Sequence, residues 1–365
     1  MTREELLALK IKPINKKIEK EVKAIWDGIA KPLDGLGEFE LLLARIGGIL
    51  ESTDLNLQKK AIIDMCADNG IVAEHVSQSG QEVTAIVTSF MGKQQSSVGK
   101  MAAHAGVDVI PVDIGINSAE KIPGVRDCKI MQGTRDFLEE PAMTEEEALR
   151  AIEVGIQLVQ ECKDKRYTLL GTGEMGIGNT TTSSAVAIAL MEKDVTDPVV
   201  LERWIGRGAG LSDAGLQRKE QVIKSALEKY PVAHMDVLQI LATFGGLDIA
   251  GMAGVCIGGA LYHIPVILDG LISTLAGLVA QRLVPGVQEF LIPSHCSKEP
   301  AARLLADELQ LHPVIDANLA LGEGTGAVMM CELLDLALTL YEKQTTFDTM
   351  EIEQYERFSD KDGVR

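Results

Sequence analysis

No two of the six cysteines (Cys66, Cys128, Cys162, Cys256, Cys296 and Cys331) are spaced as C-x-x-C, and no two of the six histidines as H-x-x-x-H. That scatter argues against a zinc cluster, a two-histidine helical face and a disulfide frame, so no metal is expected and the thiols should be reduced. Basic excess is lacking too. Thirty-five Lys and Arg stand against 53 Asp and Glu, a formal charge of −18, which disfavours binding along a nucleic-acid backbone. Uninterrupted apolar runs are also missing: GLDIAGMAGVCIGGALYHIPVILDGLISTLAGLVA is broken by Asp248, His263, Pro265 and Asp269. It reads as buried helices and strands, not as a membrane span. The opening MTREELLALKIKPINKK has neither an apolar signal core nor an Arg-rich, acid-free stretch, so the expectation is a cytoplasmic chain.

What is present suits a globular enzyme: 365 residues, 46 % hydrophobic and 24 % charged, enough for two domains or one large α/β unit. Short β-branched runs (AIIDMCADNG, VDVIPVDIGI, YTLLGTGE, IPVILDG, QEFLIPSH) alternate with helical patterns near 84–103, 144–163, 179–193, 212–228, 236–243, 248–261, 271–282 and 298–309. The alternation predicts a doubly wound, mostly parallel Rossmann-like α/β sheet, with ligands beyond the carboxyl ends of its strands. Residues 1–50 and 325–345 are expected to form a small helical domain from both chain ends. Residues 55–324 would be the large α/β domain and 346–365 an acidic tail, partly ordered at best.

The stretch GTGEMGIGNTTTSSA (171–185) follows a strand pattern and opens a helix pattern. Gly171-Thr172-Gly173-Glu174-Met175-Gly176 satisfies G-x-G-x-x-G, yet the MEKDVTDPVVLERW that follows has no second strand ending in an acid for a ribose. No lysine follows the glycines, so a P-loop is excluded as well. What remains is a helix N-terminus with free N–H groups from Gly176 to Thr181 and three threonine hydroxyls, suited to a phosphate monoester. A glycine-rich turn with a Thr cap is the plainer alternative.

Glu323, in ALGEGTGAVMM, stands between Gly322 and Gly324. Flanking glycines free the backbone and remove bulk, so the carboxylate can enter a pocket where Leu319, Leu321 and Ala327 would desolvate it as a general base. The alternative is an acid placed at a helix start for the dipole. Glu174 is a second acid in a glycine loop, and two carboxylates at one pocket suit glycosyl transfer. Asp68, Ser79, Lys219, Asp269, Ser294 and His295 are further polar candidates, each read alone as structural.

Taken together, KPLDGLGEFE, CADNGIVAEHVSQSGQEVTAIV, VDIGINSAEKIPGV, GTGEMGIGNTTTSSA, LDGLISTLA, LIPSHCSKEPAA and LGEGTGA resemble the nicotinate-nucleotide:dimethylbenzimidazole phosphoribosyltransferases of cobamide lower-ligand synthesis. The resemblance implies transfer of the 5-phosphoribosyl group of nicotinate mononucleotide to an aromatic base, with inversion to the α anomer and no cofactor or metal. It implies a dimer, either of like chains or with a similar second chain. It makes Glu323 the catalytic base and Gly176, Ile177, Gly178, Asn179 and Thr180 the phosphate loop with Lys219 beside it. Ser79, Val87, Met175 and Leu321 would lie by the acceptor, and Ser294 near nicotinate or ribose. Val87 stands where benzimidazole-using members commonly carry Gln, ADNG replaces DHG, His75 replaces a glycine and KPLDGLG departs from KPxGSLG. The lost amide suggests relaxed or phenolic acceptor use. The other readings open at this point are a non-catalytic nucleotide-binding subunit supporting a similar chain, and a dinucleotide-dependent oxidoreductase.

Overall fold

The computed structural model describes residues 1–357. In chain order, α1 (Arg3–Leu7), α2 (Lys16–Gly28) and α3 (Glu38–Leu50) precede β1 (Lys60–Ala67). Helices α4 (Glu82–Gly92) and α5 (Ser97–Ala105) lead to β2 (Asp108–Gly115) and the short edge strand β3 (Arg126–Asp127), and α6 (Glu145–Asp164) leads to β4 (Leu169–Met175). Then come α7 (Asn179–Met191), α8 (Pro198–Trp204), α9 (Asp213–Lys229), α10 (Val237–Phe244) and α11 (Leu247–Tyr262). Last are β5 (Val266–Leu268), α12 (Leu271–Leu283), β6 (Leu291–Pro293), α13 (Ala301–Glu308), α14 (Thr325–Glu342) and α15 (Phe347–Met350).

All strand pairs are parallel, in the spatial order β3-β2-β1-β4-β5-β6. The direction of winding reverses between β1 and β4, which opens a crevice beyond their carboxyl ends. Strand β1 is buried along its whole length, as a central parallel strand covered on both faces must be. Its residues alternate between two cores: Ala61, Ile63 and Met65 join α6, α11 and α12, while Ile62 and Cys66 join α3, α5 and α14. Helices α6 and α11 pack at backbone distance because a Cβ on Gly155 would sit 2.6 Å from the Val255 nitrogen.

The helix expected over 84–103 is two helices. Gly92 lies so close to the Pro123 carbonyl oxygen that a Cβ would overlap it, Gln94 is left-handed, and the Ser96 hydroxyl accepts the Gly99 N–H at 3.2 Å to start α5 afresh. The region after the glycine loop is also a helix, α8, opened by the Asp197 cap and Pro198. The strand read over QEFLIPSH is confined to Leu291–Pro293, after a single 3₁₀ turn.

Helices α2 and α3 pack on each other, and α14 lies along α3 and α5. The aromatic rings of Trp26 and Tyr341 meet at 5.2 Å between centroids. The described part of the tail is docked: the Ala30 N–H donates to Thr345 at 2.8 Å, Phe347 is buried, and Arg357 pairs with Asp27 and Asp34. The rest of the expected tail lies outside the described residues. All six cysteines are free thiols, and among the described residues no helix is long and apolar enough to cross a membrane.

Candidate active site

The ends of β4, β5 and β6 and the loop before α14 enclose a cavity of about 290 Å³, at the lower end of small-molecule sites, roughly 300–1,000 Å³. Strand β4 delivers the glycine loop. Gly178, left-handed at φ +93°, turns the chain into α7. Not every N–H of this loop is free, which corrects the expectation for 176–181. That of Ile177 donates to the Thr84 hydroxyl (3.2 Å), that of Asn179 to the Gly176 carbonyl (3.1 Å) and that of Thr181 to the Gly178 carbonyl (2.9 Å). Among the described residues the N–H groups of Gly178 and Thr180 have no partner. They lie at the positive end of a 13-residue helix.

Lys219 reaches this loop from α9. Its ammonium is fully buried and donates to the Thr180 hydroxyl at 3.1 Å and the Gly206 carbonyl at 2.9 Å. Burial lowers its pKa to about 8. Among the described residues no carboxylate forms an ion pair with it, although Glu299 acts on it through space, so one ammonium hydrogen remains for an anion.

Three consecutive left-handed residues, Gly322 (φ +81°), Glu323 (φ +56°) and Gly324 (φ +72°), build the opposite wall. The conformation costs a non-glycine residue about 1–2 kcal/mol, and strain of this kind concentrates at functional sites. A Cβ on Gly322 would sit 2.5 Å from Glu174 Oε1, and one on Gly324 2.5 Å from the Ile62 side chain. Glu323 Oε2 accepts the Val98 N–H at 3.3 Å. Val98 belongs to the first turn of α5, so a helix dipole attracts the carboxylate. The dry apolar surround expected for Glu323 is one-sided. Ala327 is buried beneath the loop, but Leu321 is 56 % exposed and Glu323 itself half-buried.

Asp269, at the end of β5, holds this loop from behind by accepting the N–H groups of Gly326 (2.7 Å) and Ala327 (3.1 Å). Burial raises its pKa to about 7 against the pull of those N–H groups. His295 Nδ1 lies 3.9 Å from Asp269, and burial lowers the imidazole to about 4, so the ring is neutral near pH 7. Burial also drives Glu174 and Asp64 well above the ordinary carboxyl range, with neighbouring acids adding to the effect. Both Asp64 oxygens lack a hydrogen-bond partner, and Gly173 makes room for them: a Cβ there would meet the Asp64 carboxyl carbon at 2.7 Å.

The family described as "Phosphoribosyltransferase" matches residues 11–352. The nicotinate-nucleotide–dimethylbenzimidazole phosphoribosyltransferase of Clostridium acetobutylicum is 40 % identical over 345 residues, covering 94 % of this chain and 96 % of that one. The enzyme of that name from Acetivibrio thermocellus is 41 % identical over 330 residues, covering 90 % and 92 %. The crystal structure of CobT from Thermus thermophilus superposes with a TM-score of 0.85 at 32 % identity, covering 93 % of this chain and all of that one. The chain belongs to the nicotinate-nucleotide–dimethylbenzimidazole phosphoribosyltransferase family.

Of the residues singled out in the sequence, Glu174, Met175, Gly176, Ile177, Asn179, Thr180, Val87, Leu321 and Glu323 share the cavity wall in this family member, with Asp269 and His295 beside them. Lys219 stands directly behind Thr180. Ser294 is buried one layer back, its hydroxyl donating to the Asp269 carbonyl at 2.5 Å. Ser79 is half-buried outside the wall, its N–H turned to Ser77. Sequence reading passed over Gly208, Ala209, Ser297 and Glu299, which also line the cavity. The glycines of GRGAG (206–210) were the available signal: at Gly208 a Cβ would meet the Thr180 hydroxyl at 2.6 Å.

Proposed function

We propose that the chain moves the 5-phosphoribosyl group of nicotinate mononucleotide to a ring nitrogen of an aromatic lower-ligand base, releasing nicotinate and an α-linked ribotide. One cavity joining an anion-binding helix end, with its buried ammonium, to a carboxylate on the opposite wall carries this reading. The donor phosphate binds the free N–H groups of Gly178 and Thr180 and the Lys219 ammonium. The bond from the anomeric carbon to the pyridinium nitrogen breaks, and its electron pair stays with nicotinate. An acceptor nitrogen lone pair closes the new bond from the other face, while the acceptor's N–H proton passes to Glu323. General-base help of this kind is worth roughly 10²–10⁴-fold.

Glu323→Gln therefore lowers kcat by about that factor while the affinity for nicotinate mononucleotide stays within a few fold. Full turnover by this variant removes the assignment. Mass spectrometry of products formed with benzimidazoles, purines and phenols reads the acceptor range. Val87 on the cavity wall supports the broader acceptor range, because an aliphatic side chain asks for no hydrogen bond from the ring. The assembly in this reading is a dimer, of like chains or with a similar one. Ile86 and Phe90, exposed one turn apart on α4, support it, and sedimentation of the chain alone tests it.

A further inference from the structure

Three segments far apart in the chain converge on the carboxyl group of Asp248, in the first turn of α11. Its Oδ2 accepts the Asn179 side-chain amide at 3.1 Å and its Oδ1 accepts the Ile249 N–H at 3.0 Å. Two glycines admit it. A Cβ on Gly176 would lie 2.7 Å from Asp248 Oδ2 and 2.6 Å from the Ala67 carbonyl, and a Cβ on Gly246 would overlap Asp248 Oδ1 and lie 2.5 Å from Asn69 Oδ1. The carboxyl is fully buried, and among the described residues no cation pairs with it.

Asn179 is also buried, and it stands between Gly178 and Thr180, whose N–H groups have no partner among the described residues. Its side-chain amide is committed to Asp248 from α11 and to Glu174 from β4. The backbone on either side is thereby fixed, while Asp248 itself stays off the cavity wall.

We propose that Asp248 is a positioning residue for donor capture: by accepting the Asn179 amide it holds the Gly178 and Thr180 N–H groups in the arrangement that grips the sugar phosphate. The inference rests on the phosphoribosyl reading above. The ionised carboxyl serves this role best, because a charged acceptor makes the stronger hydrogen bonds to the Asn179 amide and the Ile249 N–H, and protonation weakens both. The acids facing it are Glu174, across Asn179, and Asp68, at the end of β1. Burial raises Asp248 to about 6, while the Asn179 amide and backbone N–H groups pull it down. Donor capture therefore weakens as pH falls through about 6. The donor's own second phosphate ionisation falls in the same range, near 6, so the two must be separated by a variant.

The test compares wild type, Asp248→Ala and Asp248→Asn in steady-state kinetics with nicotinate mononucleotide and 5,6-dimethylbenzimidazole, with calorimetric titration of the nucleotide alone. In Asp248→Ala the donor KM and dissociation constant rise by about 10- to 100-fold, the range for losing a hydrogen bond to a charged group, with kcat within about threefold. Asp248→Asn keeps an acceptor oxygen for Asn179 and restores part of the affinity. Below pH 6 its kcat/KM falls with one ionisation, the substrate's, where wild type shows two. Unchanged donor affinity in both variants overturns the inference, as do equal acid limbs in wild type and Asp248→Asn. Loss of kcat in step with thermal stability overturns it as well. If Asp248→Ala does not fold, the acid limb of Asp248→Asn decides. Absence of wild-type turnover would instead strike the phosphoribosyl reading itself.

Discussion

Gly326→Ala tests how the loop carrying Glu323, the proposed base, is held. The added methyl group would overlap His295 Nδ1 and sit 2.6 Å from its Cε1 and 2.8 Å from Asp269 Oδ1. Neither neighbour can swing into water, since both are buried against the ends of β5 and β6. The backbone of the first turn of α14 must then retreat, which stretches the hydrogen bonds from Gly326 and Ala327 to Asp269. Overpacking costs about 1–3 kcal/mol, and a weakened bond to a charged acceptor about 1.5–3 kcal/mol. A destabilisation of roughly 2.5–6 kcal/mol follows from the two together, read as a lower urea midpoint. Glu323 lies three residues upstream, and a displacement of about 1 Å at such a group costs on the order of 10²-fold in rate. The expected result is a folded, less stable enzyme with kcat reduced by about that factor and donor binding little changed. A variant with the wild-type midpoint and full turnover would refute the claim that Asp269 and His295 fix the loop.

Lys219 loses its charge as pH rises through about 8, so kcat/KM for the nucleotide falls above that pH, and Lys219→Met lowers donor affinity and abolishes this alkaline limb. A pH-rate profile of both proteins settles it. Ser96→Ala removes the cap of α5 at a cost of about 1 kcal/mol and loosens the N–H that Glu323 accepts. Denaturation and kcat should both register the change, and an unaltered kcat would detach the α5 terminus from the reaction. Val87→Gln shifts relative turnover from phenols towards 5,6-dimethylbenzimidazole; equal ratios in competition assays would remove Val87 from the acceptor site.

Much of this layout was legible because hydrophobic patterning and glycine punctuation are local signals. The strand ends at Asp68, Glu174, Asp269 and His295 follow from β-branched runs stopping at polar or glycine residues. The conspicuous stretches GTGEMGIGN and LGEGTG do line one cavity. The break at 93–96 was not legible, since VTSFMGKQQSSVGKMAAHA keeps an acceptable helical pattern throughout. It is imposed by Gly92 meeting the Pro123 carbonyl, a contact between segments thirty residues apart. That break creates the helix end which Glu323 uses, so the carboxylate's true partner was hidden with it. Asp248 looked like a blemish in an apolar run. Only the tertiary meeting of Asn69, Gly176, Asn179 and Gly246 gives it a purpose.

Helix α14 carries Glu323 at its head and Tyr341 near its foot, where that phenol packs at a tilt against Trp26 and donates to the Thr53 carbonyl at 2.9 Å. Eighteen residues of α-helix make a rod about 27 Å long. The first and last thirds of the polypeptide are therefore mechanically joined to the proposed proton acceptor. An amino-terminal deletion into α2 would unseat the foot of the rod and be felt, as slowed turnover, at the cavity beyond the carboxyl ends of the strands.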